Sequence, residues 1–414
     1  MIRILQSQEI GRLLSRKAAR MTEAEEVVRP ILEGVRRRGD RALLEYARKF
    51  DGFTRKSVRV AEKDLRAACA SLSPDFRAAV ETAAANIRDY AERQMPREWI
   101  EEVQPGLRLG QMVRPLDTVA AYIPAGRYPL PSTLLMTVVP AQAAGVPNIF
   151  VATPRPVGEV FGTAALLGVT GVFEMGGAHA IAAFAFGTRT VPRADRIVGP
   201  GNIYVAAAKK LLAGEVGIDF VAGPTEILIL AAGGDPRAIA ADMLAQAEHD
   251  VDASAVLMTP SKRLATAVAK QVDRQLEGLP TAAVARKSIA RNSAVVLVRS
   301  LDEAMELANR FAPEHLSLPD EGLLAKVKHA GSVFVGPHSP EAAGDYASGP
   351  NHVLPTSGAA RVRGGLSVAD YVKVISMQEL SPEALARLAP AITTLARAEG
   401  LEAHARSVEA RLKP

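Results

Sequence analysis

Apolar residues return at helical spacing through the first hundred positions. Val27, Val28, Ile31, Leu32 and Val35 fall three and four apart, which puts their side chains on one helix face. Thr22 to Glu25 precedes them with the Ser/Thr-x-x-Glu form of a capping box. Gly39-Asp40 interrupts the pattern, Ala42 to Phe50 resumes it, and Pro74 to Met95 predicts a long amphipathic helix. Few candidate catalytic groups lie in this region.

From about residue 118 the pattern changes to short apolar run, glycine or proline turn, helix. Thr118 to Ile123 is followed by Pro124-Ala125-Gly126, and Asn148 to Ala152 by Pro154 and Pro156. Val172 to Met175 is followed by Gly176-Gly177, and Arg196 to Val198 by Gly199-Pro200-Gly201. A second set follows at Ile227 to Leu230, Ala253 to Met258, Ala294 to Val298 and Ser332 to Val335. Ser300 to Glu303 caps a helix that runs to Ala312. Alternation of this kind predicts parallel sheets covered by helices on both faces. The fold class is α/β: two doubly wound, Rossmann-like units, N-terminal helices, and a small C-terminal tail from about Leu366 with helix over Leu380 to Ala405. That tail is too short to form a domain, so it must dock elsewhere.

Composition narrows the partners. A chain of 414 residues has room for two or more domains and large buried cores. The net charge of +5 is small for this length, and basic and acidic residues interleave, which predicts no nucleic-acid face. One cysteine, Cys69, excludes intrachain disulfides and any multi-thiolate metal site. The N-terminal Met1-Ile-Arg-Ile-Leu-Gln-Ser7 lacks the apolar core of a signal peptide. The longest apolar candidate for a membrane span, Ala180 to Phe186, is short and bounded by His179 and Gly187. The expectation is a soluble, cytoplasmic protein with no membrane contact.

Candidate chemistry gathers late in the chain. Asp235 is a plausible N-cap and Pro236 a first helical residue, so a helix leads into Gln246-Ala-Glu-His249. Gln246 and His249 are three apart and share a face on a continuous helix. Such a pair is ordinary alone and becomes a metal site only with ligands from elsewhere. Three later segments offer them: Glu314-His315, Asp345 to His352, and Glu399 to His404. With His249, these segments hold four of the seven histidines, more than coincidence would gather there. Zinc accepts this mixture of nitrogen and oxygen ligands. Glu314-His315 pairs a carboxylate that can activate water with an imidazole that can act as a base, although for the pair alone an exposed Glu and a partly buried His at a helix exit is the favoured reading. Gly199-Pro-Gly201-Asn202 opens a helix whose first amides suit a phosphate. It lacks the dinucleotide fingerprint, because Tyr204 stands at the third glycine position.

Together these segments resemble the histidinol dehydrogenase family over nearly the whole chain. The matching stretches are Tyr122-Ile-Pro124, Gly176-Gly-Ala-His-Ala-Ile181, Gly199-Pro-Gly-Asn202, Ala222-Gly-Pro-Thr-Glu226, Gln246-Ala-Glu-His249, Ala312-Pro-Glu-His-Leu316, Gly344 to Thr356 and Glu399 to His404. The resemblance implies one zinc per subunit on Gln246, His249, Asp345 and His404. It implies Glu314 and His315 as the acid–base pair. Thr225, His352 and Glu399 join Gln246, His249, His315, Asp345 and His404 around the substrate. Tyr122, His179 and Asn202 are implied as the NAD site. The implied reaction is the four-electron oxidation of L-histidinol to L-histidine through L-histidinaldehyde with two NAD, the last step of histidine biosynthesis. The implied assembly is a homodimer whose tail reaches into the partner's site.

The expected division is an N-terminal helical arm over 1–20, a zinc-bearing unit of 21–121 plus 226–365, an NAD-binding unit of 122–225 and a swapped tail of 366–414. Two positions depart from the family pattern: His179 stands where glutamine is expected, and Ala125 where glycine is usual. An imidazole keeps hydrogen-bonding capacity there in a different geometry. One alternative is a paralogue oxidising another small amino alcohol or polyol. The other is a non-catalytic zinc- or nucleotide-binding protein, which loss of Glu314, His315 or a ligand would favour, and none is lost.

Overall fold

The computed structural model describes residues 2–11, 19–125 and 129–412. Gly126 of the first glycine turn and residues 12–18 of the expected arm lie outside the described residues. The α/β expectation holds: two parallel sheets form, each flanked by helices. The first has the strand order Arg3–Gln6, Ala294–Leu297, Ser254–Thr259, Glu226–Leu230, His315–Leu318, Ser332–Val335, all parallel. The second runs Gly171–Glu174, Asn148–Thr153, Thr118–Tyr122, Arg196–Val198, Gly217–Ile218, also parallel. Every residue of Glu226–Leu230 and Ser254–Thr259 is buried, as helices on both faces of a sheet require.

Where the structure differs from the expectation, a packing reason is visible. Arg3–Gln6 is a strand, not part of a helical arm; it pairs with Ala294–Leu297 and covers backbone groups that an open edge would leave exposed. The early helices do not join the 226–365 sheet. Ala24, Val28 and Val35 of helix Ala19–Arg38 share a core with Ala120, Phe173 and Ile181. Val80 and Ile87 of helix Pro74–Arg93 share another with Val119, Leu134 and Val151. Both cores lie on the second sheet, one on each face, and strand Thr118–Tyr122 belongs there too. Thr22 to Glu25 falls inside helix Ala19–Arg38 and does not begin it.

A third, antiparallel sheet was not foreseen. Trp99–Gln104 and Leu107–Pro115 form a hairpin, and Val372–Leu380 of the expected tail pairs along its whole length with the second of these strands. Gly106 takes φ +71° at the hairpin turn, where a Cβ would collide with Ser381. Helices Pro382–Ala398 and Glu402–Leu412 complete the tail. The caps read from sequence hold at two sites: Ser300 accepts from the Glu303 N–H, and Asp235 from the Arg237 N–H. No helix among the described residues is long and apolar enough to cross a membrane.

Candidate active site

Strand order reverses in the second sheet between Thr118–Tyr122 and Arg196–Val198, which leaves a crevice at their carboxyl ends. Tyr122 ends one strand and Gly199 follows the other. In the first sheet, Thr225 and Glu314 stand immediately before adjacent strands, so the chemistry there lies at the amino ends. Helix Pro236–Ala247 runs back toward those ends and delivers Gln246 in its last turn. His249 lies two residues past the helix, in the turn that follows, so the two do not share one continuous helix. The two strand ends open into one cleft of about 1850 Å³. Tyr122, His179, Asn202, Thr225, His249, Glu314, His315, Asp345 and His352 all line it, and the fully buried Gln246 sits behind Thr225.

The polar contacts are tight. The Thr225 hydroxyl donates to Glu314 Oε2 at 2.5 Å, and the Glu226 N–H donates to the same oxygen at 2.8 Å. Burial is the larger influence and holds the Glu314 carboxyl well above the usual carboxylate range. His315 Nδ1 lies 3.2 Å from the Glu226 carbonyl. A carbonyl only accepts, so Nδ1 carries the proton and Nε2 keeps its lone pair. That Nε2 is buried and without a hydrogen-bond partner among the described residues. Burial lowers the His315 pKa to about 3, so the ring is neutral across the physiological range. His352 follows the same logic: Nδ1 donates to the Asp345 carbonyl at 2.7 Å, and Nε2 is left to accept from the Thr133 hydroxyl at 3.3 Å. Its pKa falls to about 4, again through burial.

Sequence reasoning missed Glu341. It begins the short helix Glu341–Tyr346, four residues before Asp345 on the same face. The Glu-x-x-x-Asp spacing after Pro340 was the available signal. Glu341 Oε1 lies 3.4 Å from His315 Nδ1, and Asp345 Oδ1 lies 3.8 Å from Nε2. His315, Glu341 and Asp345 bring ligand atoms within 4.8 Å of one another, close enough to hold a metal ion. The Gln246 amide nitrogen faces Glu341 Oε2 at 2.9 Å and its oxygen faces the Glu226 N–H at 3.0 Å. The reverse orientation would set the amide oxygen against carboxylate oxygens. Burial raises Asp345 to about 7 and pushes Glu341 well above the usual carboxylate range. Imidazoles kept neutral beside carboxylates that favour their protons are the electrostatics of a donor set shaped for a cation.

At the cleft's other end, the buried Tyr122 hydroxyl accepts from the Gly177 N–H at 3.1 Å, and burial raises its pKa to about 12. Asn202 Oδ1 caps helix Ile203–Leu212 by accepting from Tyr204 and Val205 at 3.0 and 3.2 Å. The His179 ring lies 2.9 Å from Asp51 Oδ2 through Nε2, and the same oxygen accepts from the Gly176 N–H at 2.9 Å. Asp51 thus gives His179 a partner and fixes the Gly176-Gly177 turn beneath it. Glu399 and His404 do not line this cleft. Both are exposed, at the end of helix Pro382–Ala398 and on helix Glu402–Leu412.

The sequence model of the family described as histidinol dehydrogenase matches residues 14–412. The chain belongs to the histidinol dehydrogenase family. It is accordingly a dehydrogenase. The histidinol dehydrogenase of Geobacter sulfurreducens is 47% identical over 417 residues, which span 98% of this chain and 97% of that one. That of Geobacillus kaustophilus is 46% identical over 401 residues, 94% of each chain. The crystal structure of histidinol dehydrogenase from Elizabethkingia anophelis superimposes with a TM-score of 0.95 at 35% identity, over 99% of this chain and 98% of that one. The family's architecture therefore extends through the third sheet and the C-terminal helices.

Proposed function

We propose that this histidinol dehydrogenase family member oxidises L-histidinol to L-histidine through L-histidinaldehyde, with two NAD used in turn, as the last step of histidine biosynthesis in the cytoplasm. One observation carries the reading: Thr225, Gln246, His249, Glu314, His315, Asp345 and His352 meet at one end of a cleft whose other end is a switch-point crevice. Zinc fits His249 and Asp345 of one chain with His404 of a second copy, and Gln246 would join them by turning its amide oxygen from the Glu226 N–H toward the ion. When bound, the ion supplies a fixed positive charge that binds and orients the imidazole and amine of histidinol. NAD fits between Tyr122, His179 and Asn202 and supplies the hydride acceptor. The unit expected at 122–225 would carry the cofactor, and the 226–365 segment the substrate.

His315 takes the alcohol proton on Nε2 while the carbinol hydride leaves. The Glu226 carbonyl keeps the ring in the tautomer that leaves this lone pair free. Glu341, 3.4 Å from Nδ1, packs against the protonated side of the ring and helps hold its orientation. Glu314 takes a proton from the water that adds to the aldehyde. Its raised proton affinity suits that task, and Thr225 and the Glu226 N–H hold its carboxyl in place. His352, held by the Asp345 carbonyl, faces the same space and positions the substrate.

A homodimer with shared sites is part of this reading. Glu399 and His404 are exposed on their own chain, and one face of the third sheet exposes Ile100 at 50% and Ile375 at 41%. An apolar sheet surface beside the tail fits contact with a second copy. The reading is tested by chelation. Histidinol-dependent NAD reduction should vanish when divalent ions are stripped and return with zinc. Full activity in protein shown to be free of metal would reject the zinc assignment.

A further inference from the structure

A buried ion pair holds the backbone that this reading gives to the cofactor. Lys209 and Asp219 have side chains 3% and 1% exposed, with Nζ and Oδ1 2.5 Å apart. Neither lines the cleft. Lys209 Nζ also donates to the Gly199 carbonyl at 2.6 Å, and Asp219 Oδ2 accepts from the Gly199 N–H at 2.7 Å. The pair therefore takes up both the donor and the acceptor of Gly199. Asp219 Oδ1 accepts further from the Phe220 N–H at 2.6 Å. Phe220 opens the segment that crosses from the second sheet to Thr225 and Glu226 in the first. Arg363 braces that crossing from outside, with its guanidinium 4.7 Å above the Phe220 ring and a hydrogen bond to the Asp219 carbonyl.

Stability alone gives no reason for such a pair, because apolar side chains of similar volume hold a fold as well or better. Its bonds instead do positional work. Gly199 sits at φ +107° against the Tyr122 carbonyl, and three residues later Asn202 starts the helix that carries Lys209. Pro200, Gly201, Asn202, Phe220 and Val221 line the cleft on either side of the pair. We propose that Lys209 and Asp219 are a positioning pair that fixes the Gly199–Asn202 loop against the inter-sheet crossing and thereby sets cofactor affinity. The proposal rests on the NAD site argued above.

The experiment uses the zinc-loaded full-length enzyme. NAD binding to the wild type, measured first by calorimetry without substrate, tests the underlying reading separately. The Lys209→Met/Asp219→Asn double variant then removes both buried charges at similar volume. It should melt near the wild-type temperature, keep its zinc, and keep kcat at saturating NAD and KM for histidinol within about threefold. Its Kd and KM for NAD should rise about tenfold to a hundredfold, the scale of a small misplacement. Unchanged NAD affinity would overturn the proposal. So would parallel losses in every parameter, which signal a smaller folded fraction. If the double variant does not fold, Asp219→Asn alone decides by the same readout.

Discussion

At the scale of single residues, the proposed division of labour between Glu314 and His315 rests on their partners. They are adjacent in sequence yet face different neighbours: Glu314 is held by Thr225 and the Glu226 N–H, and His315 by the Glu226 carbonyl. His315→Ala removes the base and should slow both oxidations by about 10²–10⁴-fold. Glu314→Gln keeps the shape but removes the group that activates water, so aldehyde oxidation should fall far more than alcohol oxidation. Separate assays on histidinol and histidinaldehyde check this, and equal losses for Glu314→Gln would reject it. Most of the residues that line this cleft were legible in the sequence, because its histidines are few and lie with carboxylates in short motifs. Glu341 was not, since a single carboxylate beside Pro340 looks like a helix start until the fold places it beside His315. Asp51 was equally hidden. Only the packing of residues 40–51 against the Gly176 turn gives it to His179.

At the scale of elements, the strand-turn-helix rhythm was readable because parallel strands buried on both faces are near-continuous apolar runs. The antiparallel sheet escaped because its strands are mostly exposed and carry no such run; Trp99–Gln104 has every residue exposed. Gly199 gives this scale its prediction. A Cβ there would lie 2.2 Å from the Tyr122 carbonyl oxygen, and φ +107° strains any L side chain. Gly199→Ala must push the Gly199–Asn202 loop, proposed above to hold the cofactor, off the strand end. KM for NAD should rise about tenfold or more, with zinc content unchanged. Gly233→Ala, where nothing lies within 4 Å, is the control and should behave as wild type. Equal behaviour of the two variants would contradict this account of the loop.

At the scale of the whole molecule, the proposed zinc site of one chain would be completed by the tail of another. Glu399 and His404 end a segment too short to form a core, and on their own chain they face outward. If the tail acts in trans, mixing inactive His404→Ala with inactive His249→Ala subunits should recover activity. In the mixed dimer one site receives both defects and the other neither. No recovery despite proven subunit exchange would place the tail on its own chain. The periodicity of the tail's helices does not say where the tail docks, because one chain's pattern does not record contacts with a second chain.

The central claim is that one cleft performs two successive oxidations on a substrate it retains. Conversion of an alcohol to a carboxylate removes four electrons, and each NAD accepts two. The most direct measurement supplies limiting L-histidinol with excess NAD and counts NADH while identifying the product. The account predicts two NADH per histidinol, L-histidine as product, and no aldehyde captured by a trapping reagent. One NADH per histidinol, with aldehyde accumulating in solution, would contradict it.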